Sequence, residues 1–245
     1  MFIIEFGVNH LGNRNYLDNF IEFYLKSSFK NATLMMHTQE FYKDKPNYKL
    51  TENEYKKILK LCKKEKKNLG LSVCDLNSFE TVKNLKFDFY KLLSIANTDK
   101  SLIDELKKKN KNIYISTGLS DNKRIAKCVN YFSGYKKKIL LHTPMTYNSK
   151  KLNFNKIIYL KKKYNLDVGY SNHNNNINTL YALSYYNPKT IFLYAKPKTN
   201  SKIKFPDDLH AFQINEFEKI KQNYIECLNS HKNNINNIKR VNIFK

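Results

Sequence analysis

The sequence predicts a single-domain α/β protein in which eight parallel strands close into a (β/α)8, or TIM, barrel. Three observations support this prediction. The chain has 245 residues, close to the roughly 250 residues of a typical barrel of this kind. Eight short apolar segments alternate with longer amphipathic segments, which is the order of a parallel sheet with crossover helices. No glycine-rich loop of the GxGxxG or Walker type follows an apolar segment, which argues against an open nucleotide-binding sheet.

The predicted strands are short runs of β-branched, aliphatic and aromatic residues. They are 2–8, 32–38, 69–74, 87–94, 112–118, 138–143, 166–171 and 190–196. The predicted helices between and after them are 15–29, 51–67, 101–109, 121–132, 153–165, 176–186 and 214–230. Thr51 and Glu54 have the spacing of a capping box, so we expect a helix to begin there. We assign residues 1–228 to the barrel and the polar, Asn- and Lys-rich residues 229–245 to a frayed tail.

The chain is strongly basic, with 44 Lys and Arg against 21 Asp and Glu and a formal net charge of +23. Such a surplus can indicate a nucleic-acid or anionic-membrane partner. Compositional drift also explains it, because the lysines fall where solvated helix faces are predicted. The sequence contains no RNA-binding motif and no basic stripe interleaved with aromatic residues. We therefore expect no nucleic-acid partner, whereas small phosphate-bearing substrates suit the charge.

Cysteine usage and hydropathy predict a cytoplasmic protein. Four cysteines (Cys62, Cys74, Cys128 and Cys227) are far apart and form no CxxC pair, which indicates reduced thiols rather than disulfides or a zinc site. The N-terminus has neither a basic segment nor a small-residue cleavage site. No apolar run reaches the length of a membrane span, so we expect no membrane association.

Polar residues follow each predicted strand, at the end of the barrel where active sites of this fold lie. They are Glu5, Asn9, His10, His37, Gln39, Asp75, Lys91, Ser94, Ser116, Thr117, His142, Thr143, Ser171, His173 and Lys196. A lysine and several hydroxyl groups on one rim suit a phosphate or another small anion. Any single one of these residues could simply mark a strand that reaches solvent. Their occurrence after successive strands favours a binding site.

His173 lies in the Asn-rich turn VGYSNHNNN, residues 168–176. A lone histidine in a turn is more often a surface or hydrogen-bonded residue than a metal ligand. A metal site needs two or more ligands, and the histidines that could share the rim with His173 are His142, His37, His10 and His210.

Several segments together resemble the sialic acid (N-acetylneuraminate) synthase family. IIEFGVNHLGN, FYKLLS, IYISTG, ILLHTPMTY and VGYSNH occur in the order and spacing of that family's motifs, and FPDDLHAFQINEFEKI resembles its segment after the last strand. The resemblance covers residue 3 to about residue 225. It implies a (β/α)8 barrel that condenses phosphoenolpyruvate with an N-acetylated sugar to a nonulosonic acid for surface carbohydrates. It further implies a divalent metal, Mn²⁺ or Mg²⁺, as Lewis acid and template, and a homodimer.

The resemblance also assigns roles to individual residues of this sequence. The residues that match phosphate contacts of the family are Lys91, Ser94, Ser116 and Ser171. Glu5 and Tyr147 match the catalytic positions. His173 matches one of two metal-binding histidines, with His210 and His142 as candidate helpers.

Other positions depart from the family pattern. Ala195 aligns with the second metal histidine, and Ala96 with an acidic residue that assists proton transfer. Asn172 replaces an aspartate, Val73 aligns with a threonine, and the lysine after the second strand has no counterpart. The family's C-terminal antifreeze-like domain has no counterpart either. A second interpretation therefore stays open: a catalytically degenerate barrel that binds a phosphorylated or acidic small molecule and acts as partner or regulator of a full-length synthase.

Overall fold

Eight parallel strands form a closed barrel in the computed structural model, which describes residues 1–198 and 203–231. The strands are β1 (Phe2–Phe6), β2 (Asn31–Met35), β3 (Asn68–Val73), β4 (Phe89–Leu92), β5 (Asn112–Ser116), β6 (Lys138–His142), β7 (Val168–Ser171) and β8 (Ile191–Lys196). Each strand pairs with the next along the chain, and β8 also pairs with β1, which closes the barrel. The predicted (β/α)8 barrel and its eight strands are confirmed.

A ninth strand, β9 (Phe212–Gln213), pairs in parallel with the end of β8. The sequence did not indicate it because two residues are too few to show a periodic pattern. The segment before β9, residues 203–211, contacts the C-terminal end of the barrel. There the backbone N–H of Asp207 donates to Asn9 Oδ1 at 3.1 Å.

Nine helices are present in residues 1–198 and 203–231: α1 (Arg14–Lys26), α2 (Gln39–Asp44), α3 (Glu52–Lys64), α4 (Leu76–Glu80), α5 (Lys100–Lys108), α6 (Asn122–Tyr131), α7 (Asn155–Tyr164), α8 (Ile177–Ala182) and α9 (Phe217–Ser230). The predicted capping box of α3 forms between Thr51 and Glu54. Two helices, α2 and α4, were not predicted. Each is six residues or shorter, so the side-chain caps of Thr38 and Asp75 were their main sequence signal.

Side chains alternate between the barrel interior and the layer between strands and helices. An apolar layer fills the interior and consists of Ile3, Phe89, Tyr114, Leu141 and Phe192. Phe89 occupies the space next to Gly70, where an added Cβ would lie 2.1 Å from the Phe89 ring. Two residues further along the same strands come Glu5, Lys91, Ser116, Thr143 and Tyr194. The apolar layer therefore closes the barrel from below, and the polar layer lies at its C-terminal mouth.

The predicted boundary at residue 228 falls in the last turn of α9, which continues to Ser230. The predicted tail lies mostly at residues 232–245, outside the described part of the chain. Across the described residues, none of the helices is both long enough and apolar enough to cross a membrane.

Candidate functional site

The centre of the mouth contains hydrogen-bonded side chains from five strands. Lys91 Nζ donates to Glu5 Oε2 at 2.5 Å and to Ser171 Oγ at 3.1 Å. Ser72 Oγ donates to Glu5 Oε1 at 2.9 Å, and Thr33 Oγ1 lies 3.1 Å from Ser72 Oγ. All five side chains are buried. Three predicted site residues, Glu5, Lys91 and Ser171, are thus brought together.

The Glu5–Lys91 ion pair is almost fully removed from solvent, with side-chain exposures of 0% and 1%. Burial lowers the pKa of Lys91, and the Glu5 carboxylate opposes that effect. The Lys91 ammonium also lies 4.7 Å from the Phe192 ring centroid and 5.3 Å from that of Tyr194. Aromatic faces at this distance stabilise a cation. A charged lysine held at this depth attracts an incoming anion strongly, because little water screens it.

The other two predicted phosphate contacts lie on the β4–β5 side of the mouth. Ser116 Oγ donates to Thr143 Oγ1 at 3.0 Å. Ser94 follows β4, and its Oγ would lie 3.3 Å from a Cβ placed on Gly118. The four predicted residues are therefore arranged as two groups, Lys91 with Ser171 and Ser94 with Ser116.

Arg124 of α6 holds the loop that carries Ser94. Its Nη2 donates to the carbonyl oxygens of Ser94 at 3.0 Å and Ile95 at 2.8 Å, and its Nε donates to Asn97 Oδ1 at 2.9 Å. Sequence reasoning missed this role. The available signal was the rarity of arginine, because the chain has three arginines among its 44 basic residues. An arginine side chain makes several directed contacts that a lysine cannot make.

A second cluster at the mouth contains two histidines. The His173 ring centroid lies 4.9 Å from that of His210 and 5.4 Å from that of Tyr194. His210 Nε2 lies 3.4 Å from Asp207 Oδ1. The Tyr147 ring is stacked on His210, with 6.0 Å between centroids and an interplanar angle of 15°, and Tyr147 is 57% exposed. The fold thus brings Tyr147, His173 and His210 together.

His173 is in the protonation state that a metal ligand requires. Burial, together with the nearby His210 and Lys91, lowers the pKa of His173 to about 3, so the imidazole is neutral at pH 7. Its Nδ1 lies 3.3 Å from the carbonyl oxygen of Ser171. A carbonyl only accepts, so the geometry assigns the proton to Nδ1 and leaves the Nε2 lone pair free.

Two buried polar atoms of this cluster, Asp207 Oδ2 and His210 Nδ1, have no hydrogen-bond partner within the described residues. Buried polar atoms are nearly always paired, so these two atoms are available to bind a ligand. Gly7 leaves room for Asp207, because a Cβ at Gly7 would lie 2.5 Å from Asp207 Oδ2. A side chain at Gly7 would therefore force the Asp207 carboxylate to move.

The donor types of this cluster fit a divalent cation, since imidazole nitrogen and carboxylate oxygen both bind Mn²⁺ and similar metals. The donors are His173, His210 and Asp207. No group of three His, Cys, Asp or Glu side chains in residues 1–198 and 203–231 is already arranged to hold a metal ion. The donor atoms therefore suit a divalent cation, but the side chains of His173, His210 and Asp207 would have to rotate to bind one together.

Strand alternation decides which residues face the mouth, and it separates His142 and Ala195 from it. His142 Nε2 lies 2.8 Å from the carbonyl oxygen of Leu152, and its ring packs edge-on against Tyr170 in the layer outside the barrel. Ala195 belongs to the same outer layer. The eighth-strand side chain that approaches His173 is Tyr194. On this strand Tyr194 therefore faces His173, and Ala195 faces the outer layer.

Two other histidines named from the sequence lie at the edge of the mouth. His10 Nδ1 accepts from the backbone N–H of Gly12 at 3.1 Å. The His37 ring is stacked on Phe41 at 4.0 Å between centroids. Of the candidate partners of His173, the structure brings His210 into ring contact with it.

The fold and the site define a TIM-barrel protein with a buried lysine and paired imidazoles at its C-terminal mouth, the end at which barrels of this class bind ligands. The chain belongs to the NeuB family, whose family model matches residues 20–235. The resemblance read from the motifs is confirmed at the level of the family.

One curated relative is an uncharacterized protein of Methanocaldococcus jannaschii, 26% identical over 183 residues. The match covers 70% of this chain and 54% of the relative, so the chain spans about half of the length of that relative.

Solved structures with the same fold include an N-acetylneuraminic acid (sialic acid) synthetase from Leptospira borgpetersenii, determined in complex with citrate. Its TM-score is 0.84 at 18% identity, over 95% of this chain and 85% of that chain. A putative spore coat polysaccharide biosynthesis protein E from Chromobacterium violaceum has a TM-score of 0.83 at 15% identity, over 97% and 77% of the two chains. A truncated 3-deoxy-D-arabino-heptulosonate 7-phosphate synthase from Thermotoga maritima has a TM-score of 0.69 at 15% identity, over 94% and 87%. At these identities the likeness shows the shared fold.

Proposed function

We propose that this protein condenses phosphoenolpyruvate with an N-acetylated sugar to form a nonulosonic acid for surface carbohydrates. Membership of the NeuB family and the sialic acid synthetase among its structural neighbours support this proposal. The single observation that carries it is the buried Lys91, hydrogen-bonded to Ser171 and Glu5 at the centre of the mouth. Phosphoenolpyruvate carries a phosphate and a carboxylate, and this lysine offers a desolvated positive charge to such an anion.

In the proposed reaction, carbon 3 of the enol attacks the sugar aldehyde, water adds to carbon 2, and the bond between carbon 2 and the phosphate oxygen breaks. Lys91 and Ser171 would hold the phosphate group, and Ser94 with Ser116 would contact it from the β4–β5 side. Holding both reactants in contact removes much of the entropic barrier of a bimolecular step. Tyr147, at the exposed rim beside His210, would contact the sugar.

Glu5 is the carboxylate available for proton transfer at the centre of the mouth. Lys91 donates to Glu5 in the structure, and a bound phosphate would draw the ammonium toward itself. Glu5 could then accept a proton from the water that adds to carbon 2. That proton balances the one that the aldehyde oxygen takes up as it becomes a hydroxyl group. Ala96 packs in the outer core, so Glu5 would act without an acidic residue at that position.

Three residues of this chain, His173, His210 and Asp207, would hold a divalent cation. When bound there, Mn²⁺ or Mg²⁺ supplies Lewis acidity at the aldehyde oxygen. The neutral imidazole of His173 offers Nε2, and the unpaired atoms of His210 and Asp207 supply the remaining donors. In this proposal His210, from the segment before β9, takes the place of the eighth-strand histidine.

We expect His210→Ala and His173→Ala each to weaken Mn²⁺ binding by at least about tenfold, or roughly 1.4 kcal/mol. Titration of the purified protein with Mn²⁺, followed by electron paramagnetic resonance of the free ion, measures this directly. His231→Ala is the matched control, because His231 is exposed at the end of α9. Equal Mn²⁺ affinity in the wild type and in His210→Ala would rule out His210 as a ligand.

The proposed activity predicts that the protein releases inorganic phosphate from phosphoenolpyruvate only when an N-acetylated hexosamine and Mn²⁺ are both present. The assay uses the full chain with a panel of N-acetylated hexosamines. Reactions without sugar and without metal serve as controls. Folded protein that releases no phosphate with any sugar would contradict the proposal.

The second candidate function is a barrel that binds a small acidic or phosphorylated molecule and regulates a full-length synthase. The observation that favours it is the ion pair in the polar layer at the mouth, where Glu5 already neutralises the charge of Lys91. Calorimetry distinguishes the two functions. Binding of phosphoenolpyruvate without metal dependence and without turnover supports regulation, whereas metal-dependent turnover excludes it.

A further inference from the structure

A surface depression of about 620 Å³ lies at the N-terminal end of the barrel, the end away from the proposed active site. Its lining comes from the last turns of α3 and from the segments that lead into β3, β4 and β5. The apolar layer that includes Phe89 and Tyr114 lies between this basic depression and Lys91 at the mouth. Small-molecule sites typically measure roughly 300–1,000 Å³. The basic depression is therefore a candidate ligand site separate from the mouth.

Positive charge dominates the basic depression. Within the described residues, Asp88 is the single carboxylate of the lining. It forms no salt bridge there, and its Oδ2 accepts from the backbone N–H of Leu69 at 2.9 Å. The lysines of the lining are Lys60, Lys63, Lys66, Lys67, Lys86 and Lys111.

Three of these lysines come from three different loops. Lys66 precedes β3, Lys86 precedes β4, and Lys111 precedes β5. Their side chains are exposed, and among residues 1–198 and 203–231 none of the three forms a salt bridge or a side-chain hydrogen bond. Like charges around one depression repel each other. An anion bound between them would remove that repulsion.

Lys67 differs from the three loop lysines. It is buried, and its Nζ donates to the carbonyl oxygens of Ser27 at 2.5 Å and Phe29 at 2.6 Å. Its ammonium is therefore already paired within the protein. The ammonium groups available to a ligand are those of the exposed lysines.

The high net charge of the chain does not by itself explain the absence of a paired carboxylate. Another depression at the same end of the barrel, between α7 and β8, is lined by Lys161, Lys162, Lys189 and Asp167. There Lys189 Nζ lies 3.2 Å from Asp167 Oδ2. A carboxylate thus offsets part of the charge at that position, whereas the described lining of the basic depression has no such pair.

A smaller depression of about 400 Å³ extends the positive surface. Lys86 and Lys111 line both depressions, and the smaller one adds Lys109. Two aromatic residues contribute to its lining, Phe87 and Tyr90, but each is 1% exposed. Neither ring can stack on a nucleic-acid base, which is the usual contact in sequence-tolerant binding of single strands.

These donors favour phosphate chains over other anions. Lysine ammonium groups are compact point charges that commonly bind phosphate. A chain of two or three phosphates concentrates several negative charges within a volume that the basic depression can hold, whereas an acidic peptide spreads its carboxylates along an extended chain. With no exposed aromatic ring in the described linings, the remainder of such a ligand would stay in solvent.

We infer that the basic depression is a polyphosphate-binding site, in which Lys66, Lys86 and Lys111 contact the phosphate chain of a free di- or triphosphate ester. Lys60 and Lys63 of α3 add positive charge at its edge. The site is independent of the proposed reaction, because no residue of the mouth takes part in it.

Calorimetric titration with sodium tripolyphosphate tests the site. The salt concentration is about 0.15 M, where the Debye length of about 8 Å screens attraction by distant charges. We expect one saturable site per chain, with orthophosphate bound at least about tenfold more weakly because one phosphate meets fewer ammonium groups. Adenosine and cytidine triphosphates should bind within about threefold of each other, since the nucleoside makes no contact.

Two triple variants locate the site. Lys66→Gln/Lys86→Gln/Lys111→Gln should bind tripolyphosphate at least about tenfold more weakly. It should unfold at no lower urea concentration than the wild type, because the substitutions are exposed and remove like charges. The control removes the same charge from exposed positions at the other end of the barrel and should keep its affinity within about threefold. The control is Lys43→Gln/Lys123→Gln/Lys150→Gln.

Three results would overturn the site. The first is no saturable binding of tripolyphosphate to the folded wild type. The second is an equal loss in both triple variants, which would show attraction by net charge alone. The third is binding of single-stranded RNA, or of phosphatidylcholine vesicles containing phosphatidylglycerol, that the loop-lysine variant loses while tripolyphosphate does not saturate. That result would make the surface a docking site for a polyanionic partner. Tripolyphosphate binding through these lysines in a protein without synthase activity would keep the site and remove the proposed function.

Discussion

Replacing Lys91 with methionine is expected to lower the free energy of unfolding by about 3–5 kcal/mol, because it leaves the Glu5 carboxylate buried without its cation. Both side chains are almost completely buried, and Lys91 Nζ lies 2.5 Å from Glu5 Oε2. The proposed reaction should also lose at least about 100-fold in rate, since the variant lacks the charge that would hold the phosphate. Urea unfolding at pH 7 and the phosphate-release assay measure the two effects separately.

Two further variants make the Lys91 result interpretable. Lys123→Met removes an exposed lysine from α6 and should change stability by no more than about 0.5 kcal/mol. Glu5→Gln/Lys91→Met removes both charges and should recover a large part of the stability, because the desolvation cost of an unpaired charge is gone. If Lys91→Met were no less stable than Lys123→Met, Lys91 and Glu5 would not form a buried ion pair.

The second large effect is a loss of stability in mild acid. Burial lowers the pKa of His10 and of His142 from the ordinary value of 6.5 to about 4. Below pH 6.5 the unfolded chain therefore binds protons that the folded chain does not bind. Stability is fully present above that pH and is lost as the pH falls toward 4. Between pH 7.5 and pH 5.0 we expect His10 and His142 to contribute a loss of about 2 kcal/mol each, or about 4 kcal/mol from these two residues.

Urea unfolding at the two pH values measures this loss. His142→Gln should reduce the difference in unfolding free energy between pH 7.5 and pH 5.0 by about 2 kcal/mol, since glutamine does not titrate. Its absolute stability can change for packing reasons, so the comparison uses the difference between the two pH values. His231→Gln should leave that difference unchanged, because His231 is exposed. A His142→Gln variant with the full wild-type pH dependence would show that His142 does not titrate as a buried neutral group.

The barrel was predictable because its signals are local. Strands with buried runs and helices with a 3.6-residue period each appear within about 10–18 consecutive residues. The two short helices α2 and α4 and the two-residue β9 were missed for the same reason, since they are too short to show a period. The direction of side chains was harder to predict. It alternates with every residue along a strand, so the motif match alone did not show which eighth-strand side chain faces His173. The motif aligns Ala195 with the second metal histidine, whereas the side chain that approaches His173 in the structure is Tyr194.

The sequence by itself determined the closed eight-stranded barrel, the end of it at which polar residues gather, and the family through the order of its motifs. Only the tertiary structure decided which of those residues meet. Lys91 reaches Glu5 across 86 positions of the chain, and His210 reaches His173 because the segment before β9 packs against the mouth. The physical reason is that closure and register of the sheet set these contacts, and both depend on pairing between distant segments that no local pattern records.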